Sequence, residues 1–152
     1  MTPHEKPEAA GRRAAMATCA DATAAELAGA LALLGPLPDV CDLRPPEFGL
    51  VTLRGRAGGD GRPFNFGEAT VTRAAVSLPG GPEGYAYHLG RDRPKARAAA
   101  LLDALWQQEE RRVAVEGALG PVRDRLAAER NLAARRTAAT RVDFFTLVRG
   151  ED

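Results

Sequence analysis

Phe64-Asn-Phe-Gly-Glu-Ala-Thr-Val-Thr-Arg-Ala-Ala-Val-Ser-Leu78 is the longest β-type run in the chain, and it predicts the middle of an antiparallel sheet. Its apolar residues switch between even-numbered and odd-numbered positions twice, first near Gly67 and again near Thr72–Arg73. A flat strand keeps a period of two, so each change predicts a β-bulge or a sharp bend. Glu68 and Arg73 are the charges in this run, and they either form a buried pair or contact a ligand or a partner.

The composition indicates a single domain with no global attraction to a polyanion. A chain of 152 residues is most simply one domain, which we place at residues 9–152 behind a disordered tail at residues 1–8. The net charge of +1 gives no pull toward nucleic acid or a membrane surface. Nineteen arginines against two lysines favour either phosphate recognition by guanidinium groups or the codon bias of the genome.

Cysteine spacing and hydropathy indicate neither a metal centre nor a membrane segment. Cys19 and Cys41 have no nearby histidine and form no CxxC motif, so we predict no bound metal and no cofactor. No signal peptide is visible, and the longest apolar stretch, Ala24 to Leu34, is too short to span a bilayer. We therefore expect a soluble, cytoplasmic protein.

The pattern on both sides of the opening stretch predicts an α+β fold. Alanine-rich residues 9–20 predict a first helix, and Thr23-Ala-Ala-Glu26 has the spacing of a capping box that starts a second. Between residues 40 and 89 we predict an antiparallel sheet of about four strands with bulges. The three strands besides the opening stretch are Val40–Arg44, stopped by Pro45-Pro46, then Phe48–Arg56 and finally Tyr85–Leu89.

The aromatic residues and the last predicted strand carry two further expectations. Only eight aromatic residues are present, so each is expected to anchor a packed site. In the last strand, Tyr85, Tyr87 and Leu89 alternate along one face and His88 lies on the other.

Helices and an apolar terminus follow the sheet. Asp92 is a plausible N-cap for the clearest helix in the chain, whose stripe includes Leu102 and Leu105, and Gly120-Pro121 separates it from a further, arginine-rich helix. In Arg141–Arg149, apolar residues occupy both even-numbered and odd-numbered positions, so both faces of an extended segment would be apolar. A segment of this kind is covered on both faces, so it is either a central strand of this domain or an arm inserted into a partner.

No constellation for catalysis emerges from the sequence. The glycine-rich stretch Gly55–Gly61 lacks the GxxxxGK[ST] pattern and precedes a strand, so it predicts a hairpin turn and not a phosphate loop. His88 with Asp92 and a threonine could be drawn as a triad, but nothing in the sequence singles this set out. We therefore predict no catalytic residue and no metal ligand.

Several motifs in a fixed order give a family resemblance. They are Phe48-Gly-Leu-Val51, Gly58-Gly-Asp-Gly61, Phe66–Val76, Gly90-Arg-Asp92, Leu102-Asp-Ala-Leu105 and Thr140–Gly150. From about residue 24 onward, the chain closely resembles the PhnG family of the bacterial carbon–phosphorus lyase system. The motifs supply our candidate partner-binding residues: Glu68, Thr70, Thr72, Arg73, Arg91, Asp92, Arg141, Asp143, Phe144 and Phe145.

The resemblance implies an accessory, non-catalytic subunit of the carbon–phosphorus lyase core complex. Members of this family assemble with subunits H, I and J, and we expect the I subunit to be the direct contact. The complex transfers the ribose triphosphate of ATP to an alkylphosphonate during phosphonate catabolism, so ATP and alkylphosphonate are its substrates. The alternative hypothesis is a stand-alone domain that binds an anionic small molecule through its arginines.

Overall fold

The computed structural model describes residues 7–58 and 60–140, and within them the chain forms five helices and three strands. The expected α+β class is confirmed. The first helix begins at Pro7, two residues before the predicted start of the domain. The helices are α1 (Pro7–Asp21), α2 (Ala24–Leu33), α3 (Arg93–Trp106), α4 (Glu109–Ala118) and α5 (Gly120–Ala139). The strands are β1 (Cys41–Arg56), β2 (Pro63–Ser77) and β3 (Glu83–Leu89).

The described strands form one antiparallel sheet in the order β1-β2-β3. The predicted number of about four is wrong for this region, because Val40–Arg44 and Phe48–Arg56 belong to the single strand β1. Pro45-Pro46 does not end the strand, since β1 lies at the edge of the sheet and needs no outward hydrogen bond there. The pairing with β2 also shifts register between Arg44 and Glu47, where the two prolines lie.

One of the two predicted irregularities in β2 is a β-bulge. Leu53 pairs with Gly67, whereas the next β1 residue, Arg54, pairs with Asn65. Phe66 is therefore the extra residue, which confirms the bulge predicted near Gly67.

The second predicted bulge, at Thr72–Arg73, is wrong. Pairing of β2 with β3 runs without a shift from Val71–Leu89 to Ser77–Glu83. The apolar residues of β2 switch from odd to even positions there because the helices cover one face of the sheet only beyond this point. Beyond Thr72, Ala74 and Val76 belong to the core packed under the helices, whereas before it Ala69 and Val71 lie on the opposite face.

Helix α3 is the centre of the fold. Its Ala96, Ala100, Leu102 and Leu105 are all buried, and α3 packs on the sheet as well as on α1, α2 and α4. Burial on nearly every side of a helix is typical of a central core element. Gly84 of β3 lies so close to α3 that a Cβ atom there would come within 2.0 Å of the Ala100 carbonyl oxygen.

Both predicted helix caps are present. The Thr23 hydroxyl accepts a hydrogen bond from the Glu26 amide (3.2 Å), and the Glu26 carboxylate accepts one from the Thr23 amide (2.8 Å). Arg125 of α5 bonds the same carboxylate through Nη2 at 2.9 Å, so this cap also joins α5 to α2. At α3, the Asp92 carboxylate accepts a hydrogen bond from the Lys95 amide at 2.9 Å.

Candidate functional site

The two faces of the sheet differ in what covers them. Side chains alternate along a strand, and residues directly paired across strands share a face. One face carries Ala74, Val76 and Ala86, which belong to the core packed under the helices, and we call it the helix-side face. The opposite one, which we call the outer face, carries Tyr87 and Leu89, exposed by 54% and 72%.

The expectation that each aromatic anchors a packed site is wrong for β3. Tyr85, Tyr87 and Leu89 are exposed on the outer face, while His88, on the helix-side face, is buried. In most antiparallel sheets the large apolar side chains face the core and the polar ones face water. β3 reverses this rule, so its outer face has apolar area that no described residue covers.

Strands β1 and β2 continue past the end of β3 as a two-stranded ribbon. The last pair between β2 and β3 is Val71–Leu89, so we define the ribbon as residues 50–56 of β1 with 63–70 of β2. Isolated two-stranded hairpins are at best marginally stable in water. The ribbon therefore has little packing of its own within the described chain.

The bulge at Phe66 keeps the apolar residues of the ribbon on the outer face. The ring of Phe66 lies over Gly55, where a Cβ atom would come within 2.9 Å of the Phe66 ring. Phe64 and Phe66 meet edge to face with their centroids 6.2 Å apart. The outer side of the ribbon thus consists of Val51, Leu53, Phe64, Phe66 and Ala69.

The ribbon and β3 both carry exposed apolar side chains on the outer face. Phe64 and Phe66 are exposed by 48% and 59%. Large apolar patches on a protein surface mark interaction sites, and aromatic residues are enriched at the centres of protein–protein interfaces. The outer face is therefore the candidate functional site of the described chain.

The hypothesis of a buried Glu68–Arg73 pair is wrong. With no bulge between them, residues five apart lie on opposite faces, and Glu68 pairs with Thr52 on the helix-side face of the exposed ribbon. Arg73 instead donates from Nε to Glu47 Oε1 at 2.8 Å across the β1–β2 ladder. This contact is the main cause that lowers the pKa of the Glu47 carboxyl.

Three of the motif residues build the turn between β3 and α3. The Thr72 hydroxyl is buried, donates to the Gly90 carbonyl at 2.6 Å and accepts from the Asp92 amide at 3.0 Å. The Thr70 carbonyl accepts a hydrogen bond from the Gly90 amide at 2.9 Å. Gly90 has φ +93°, a conformation that favours glycine. Thr70, Thr72 and Asp92 thus position the chain at the end of β3, and Arg91 lies exposed in the same turn.

The remaining predicted site residues are Arg141, Asp143, Phe144 and Phe145, which lie outside the described residues, as does the predicted strand or arm at residues 141–149. The helix that leads to them is described. From Ala128 to Thr140 every residue is exposed, so the second half of α5 extends away from the core. At 1.5 Å per residue this projection is about 18 Å long.

His88 and Cys19 are buried titratable groups that line the same pocket. Both ring nitrogens of His88 are without a hydrogen-bond partner, and burial lowers its pKa. Burial also raises the pKa of the nearby Cys19 thiol to about 12, which keeps it protonated and unreactive. Residues 7–58 and 60–140 contain no cluster of three His, Cys, Asp or Glu able to hold a metal, and no helix there is long and apolar enough to cross a membrane.

Comparison with known proteins identifies the family. The family model described as "Phosphonate metabolism protein PhnG" matches residues 10–150. The chain belongs to the PhnG family. A relative from Rhizobium meliloti (strain 1021), named alpha-D-ribose 1-methylphosphonate 5-triphosphate synthase subunit PhnG, is 50% identical over 143 residues, which cover 94% of this chain and 92% of the relative. The resemblance inferred from the ordered motifs is thus confirmed.

The outer face was not anticipated from the sequence of this PhnG-family chain. Its signal was present in the two parity changes of β2, of which the first keeps the phenylalanines beside Ala69 and Val71 on one face. The alternation of Tyr85, Tyr87 and Leu89 predicts a strand with His88 on its other face, but it does not indicate which of the two faces the helices cover.

Proposed function

We propose that this chain is an accessory subunit of alpha-D-ribose 1-methylphosphonate 5-triphosphate synthase and contributes no catalytic residue of its own. The 50% identical relative is named as a subunit of that synthase. The observation that carries the proposal is the uncovered outer face, because an apolar surface of this kind fits a chain that works inside an assembly. The reaction it serves transfers the ribose triphosphate of ATP to an alkylphosphonate, in the cytoplasm.

The proposed partners are subunits H, I and J of the carbon–phosphorus lyase core complex, with direct docking on the I subunit. The proposal extends to Glu68 and Arg73 as partner contacts, and to Thr72 and Asp92 as supports of the adjacent turn. The apolar segment at residues 141–149 is proposed as a second contact. Support for this comes from α5, whose exposed second half leads to that segment away from the core.

The alternative of a stand-alone anion-binding domain loses its main support. Arg73 is bonded to Glu47, Arg97 to Asp42, and Arg125 to both Glu26 and Glu129. Guanidinium groups already paired with carboxylates are poor starting points for a phosphate site, because the ligand must first displace the carboxylate.

Co-expression with the I subunit, followed by size-exclusion chromatography, tests the proposed function. We expect the two chains to elute together and to remain together on a second column at 0.5 M salt, because an apolar contact is little weakened by salt. Two separate peaks in 0.15 M salt would contradict the proposal. Addition of ATP or phosphonate to the isolated chain is expected to leave its Tm unchanged, whereas a ligand-dependent rise would support the anion-binding alternative.

A further inference from the structure

We propose that a strand of the partner subunit pairs with the free edge of β2 in the ribbon and packs apolar side chains on the outer face. This inference rests on the proposed function and specifies the surface and the partner chemistry. The occupant is an extended segment of another polypeptide that is apolar on one side and carries carboxylates at its margins. Strand addition of this kind gives affinity through main-chain hydrogen bonds and specificity through alternate side chains.

The edge is open because β3 ends before the ribbon begins. The Gly90 amide donates to the Thr70 carbonyl at 2.9 Å, and after this bond the chain turns into α3. From Phe64 to Ala69, β2 has no strand on this side among residues 7–58 and 60–140. Since the Thr70 carbonyl points toward β3, alternation directs the backbone N–H and C=O of Glu68 to the same, unpaired edge.

β1, β3 and the ribbon part of β2 each have an edge with no described strand partner. Pro45 and Pro46 hinder pairing of a further strand with β1 at their own positions, whereas residues 50–56 of β1, in the ribbon, contain no proline. β2 has no proline between Phe64 and Ala69. Proteins commonly protect an exposed edge against strand addition with prolines or charges. An edge without proline that lies in line with β3 and beside the apolar outer face therefore fits a site of strand addition.

The outer face supplies the side-chain contacts next to this edge. Phe64 and Phe66 stand on the outer side of the ribbon, and Leu89, exposed by 72%, stands at the end of β3 in line with the missing strand. A strand that continues the line of β3 would place every second side chain against these residues.

Charge distinguishes the partner strand from a second copy of this chain. Residues 44–73 contain five arginines (44, 54, 56, 62 and 73) and three carboxylates (Glu47, Asp60 and Glu68), so the ribbon and its margin have a net positive charge. The chain's own apolar segment, residues 141–149, carries two arginines and one aspartate and is also net positive. Like charges at an interface disfavour that pairing, so we commit to a partner with acidic margins.

A pair of proline variants in the full-length chain tests strand addition. Glu68 and Thr52 lie directly opposite each other in the ribbon, and their amides point to opposite edges. We expect Glu68→Pro to lower recovery of the complex with the I subunit at least tenfold, and Thr52→Pro to change it less than twofold. Equal recovery of the two variants, or a greater loss with Thr52→Pro, would overturn the proposal.

A second pair of variants preserves the backbone and keeps the proposal testable if a proline variant does not fold. Phe66 and Leu50 are similarly exposed, by 59% and 63%, but lie on the outer and helix-side faces of the ribbon. Phe66→Ser is expected to lower the affinity for the I subunit at least tenfold, and Leu50→Ser less than threefold. Unchanged affinity in Phe66→Ser would overturn the proposal, and so would dimers of the isolated chain that Phe66→Ser abolishes.

Different binding results would rule out strand addition at β2 and the proposed function. If the wild-type chain binds the I subunit and all four variants bind equally well, the docking surface is elsewhere and the function stands. If the wild-type chain binds none of the subunits H, I and J, the proposed function itself fails.

Discussion

Strands β1 and β2 pass through two regions in which the same ladder is stabilised in different ways. Near β3 the apolar side of the ladder faces α3, and Val76 and Leu78 are buried. In the ribbon the apolar side faces outward, and Phe64 and Phe66 remain half exposed. Burial against the described helices therefore explains the stability of only one end of the sheet. The other end carries exposed aromatic residues, as protein interfaces do, and no second layer from the described part of the chain packs on it.

The largest expected effect belongs to the buried region. Leu105 of α3 is fully buried, so Leu105→Ala is expected to lower the free energy of unfolding by about 2–5 kcal/mol. Leu50→Ala, in the ribbon, is expected to change it by less than about 0.5 kcal/mol. Urea denaturation followed by circular dichroism measures both. A comparable loss in both variants would mean that the ribbon is packed within the isolated chain.

A smaller effect is expected from the ion pair that joins α1, α3 and β3. Asp103 is 2% exposed at its side chain, and it accepts hydrogen bonds from Arg12 (2.8 Å at each oxygen) and from the Tyr85 amide (2.9 Å). Asp103→Asn keeps the shape but removes the charge and one acceptor, so we expect a loss of about 1–3 kcal/mol in urea denaturation. An unchanged midpoint would show that this contact is not maintained in solution.

The pH dependence of stability tests the contact between α2 and α5. The hydrogen bond from Arg125 is the largest of the causes that lower the pKa of Glu26 to about 2 from its ordinary 4.5. Because the folded chain binds this proton less readily than the unfolded one, the stabilisation is complete above pH 4.5 and is lost as the pH falls toward 2.

Glu26→Gln isolates that contribution. We expect its Tm to lie below that of the wild type at pH 6 and the two to converge as the pH falls toward 2. Glu129→Gln, which affects a more exposed partner of Arg125, is the control and is expected to have a smaller effect at pH 6. A Tm difference that stays constant from pH 6 to pH 2.5 would contradict the assignment.

The smallest expected effect concerns two exposed ion pairs in the ladder and on α3. Arg73 bonds Glu47 and Arg97 bonds Asp42, and both arginine side chains are 43% exposed. Exposed pairs contribute about 0–1 kcal/mol, so Arg73→Ala and Arg97→Ala should each change stability by less than about 1 kcal/mol. Binding of the I subunit should separate them, since only Arg73 borders the outer face. Equal binding by both variants would exclude Arg73 from the interface.

Local signals in the sequence predicted local structure well. The capping box at Thr23 and Glu26, the N-cap at Asp92 and the bulge near Gly67 each depend on a few neighbouring residues, and all three are present. The α+β class followed from the change of period along the chain.

Predictions that depended on distant parts of the chain were less successful. The second parity change was assigned to a bulge because nothing in residues 64–78 shows that α3 covers one face of the sheet only beyond Thr72. The Glu68–Arg73 pair failed for the same reason, since its geometry required that bulge. Pro45-Pro46 predicts a strand end, but β1 continues through both residues because an edge position tolerates proline.

The outer face could not be predicted because the sequence does not distinguish an apolar residue that the chain covers from one that a partner covers. Tyr87 and Leu89 have the pattern of core residues, and only the arrangement of α3 on the other face leaves them exposed.

Hydrogen–deuterium exchange on the full-length chain, free and bound to the I subunit, detects strand addition at the ribbon. In the free chain the Glu68 amide points to an open edge and should exchange rapidly, while the amides of α3 are protected. On binding we predict that exchange at residues 64–69 slows at least tenfold and that exchange in α3 is unchanged. Binding without added protection at residues 64–69 would show that no partner strand pairs with this edge of β2.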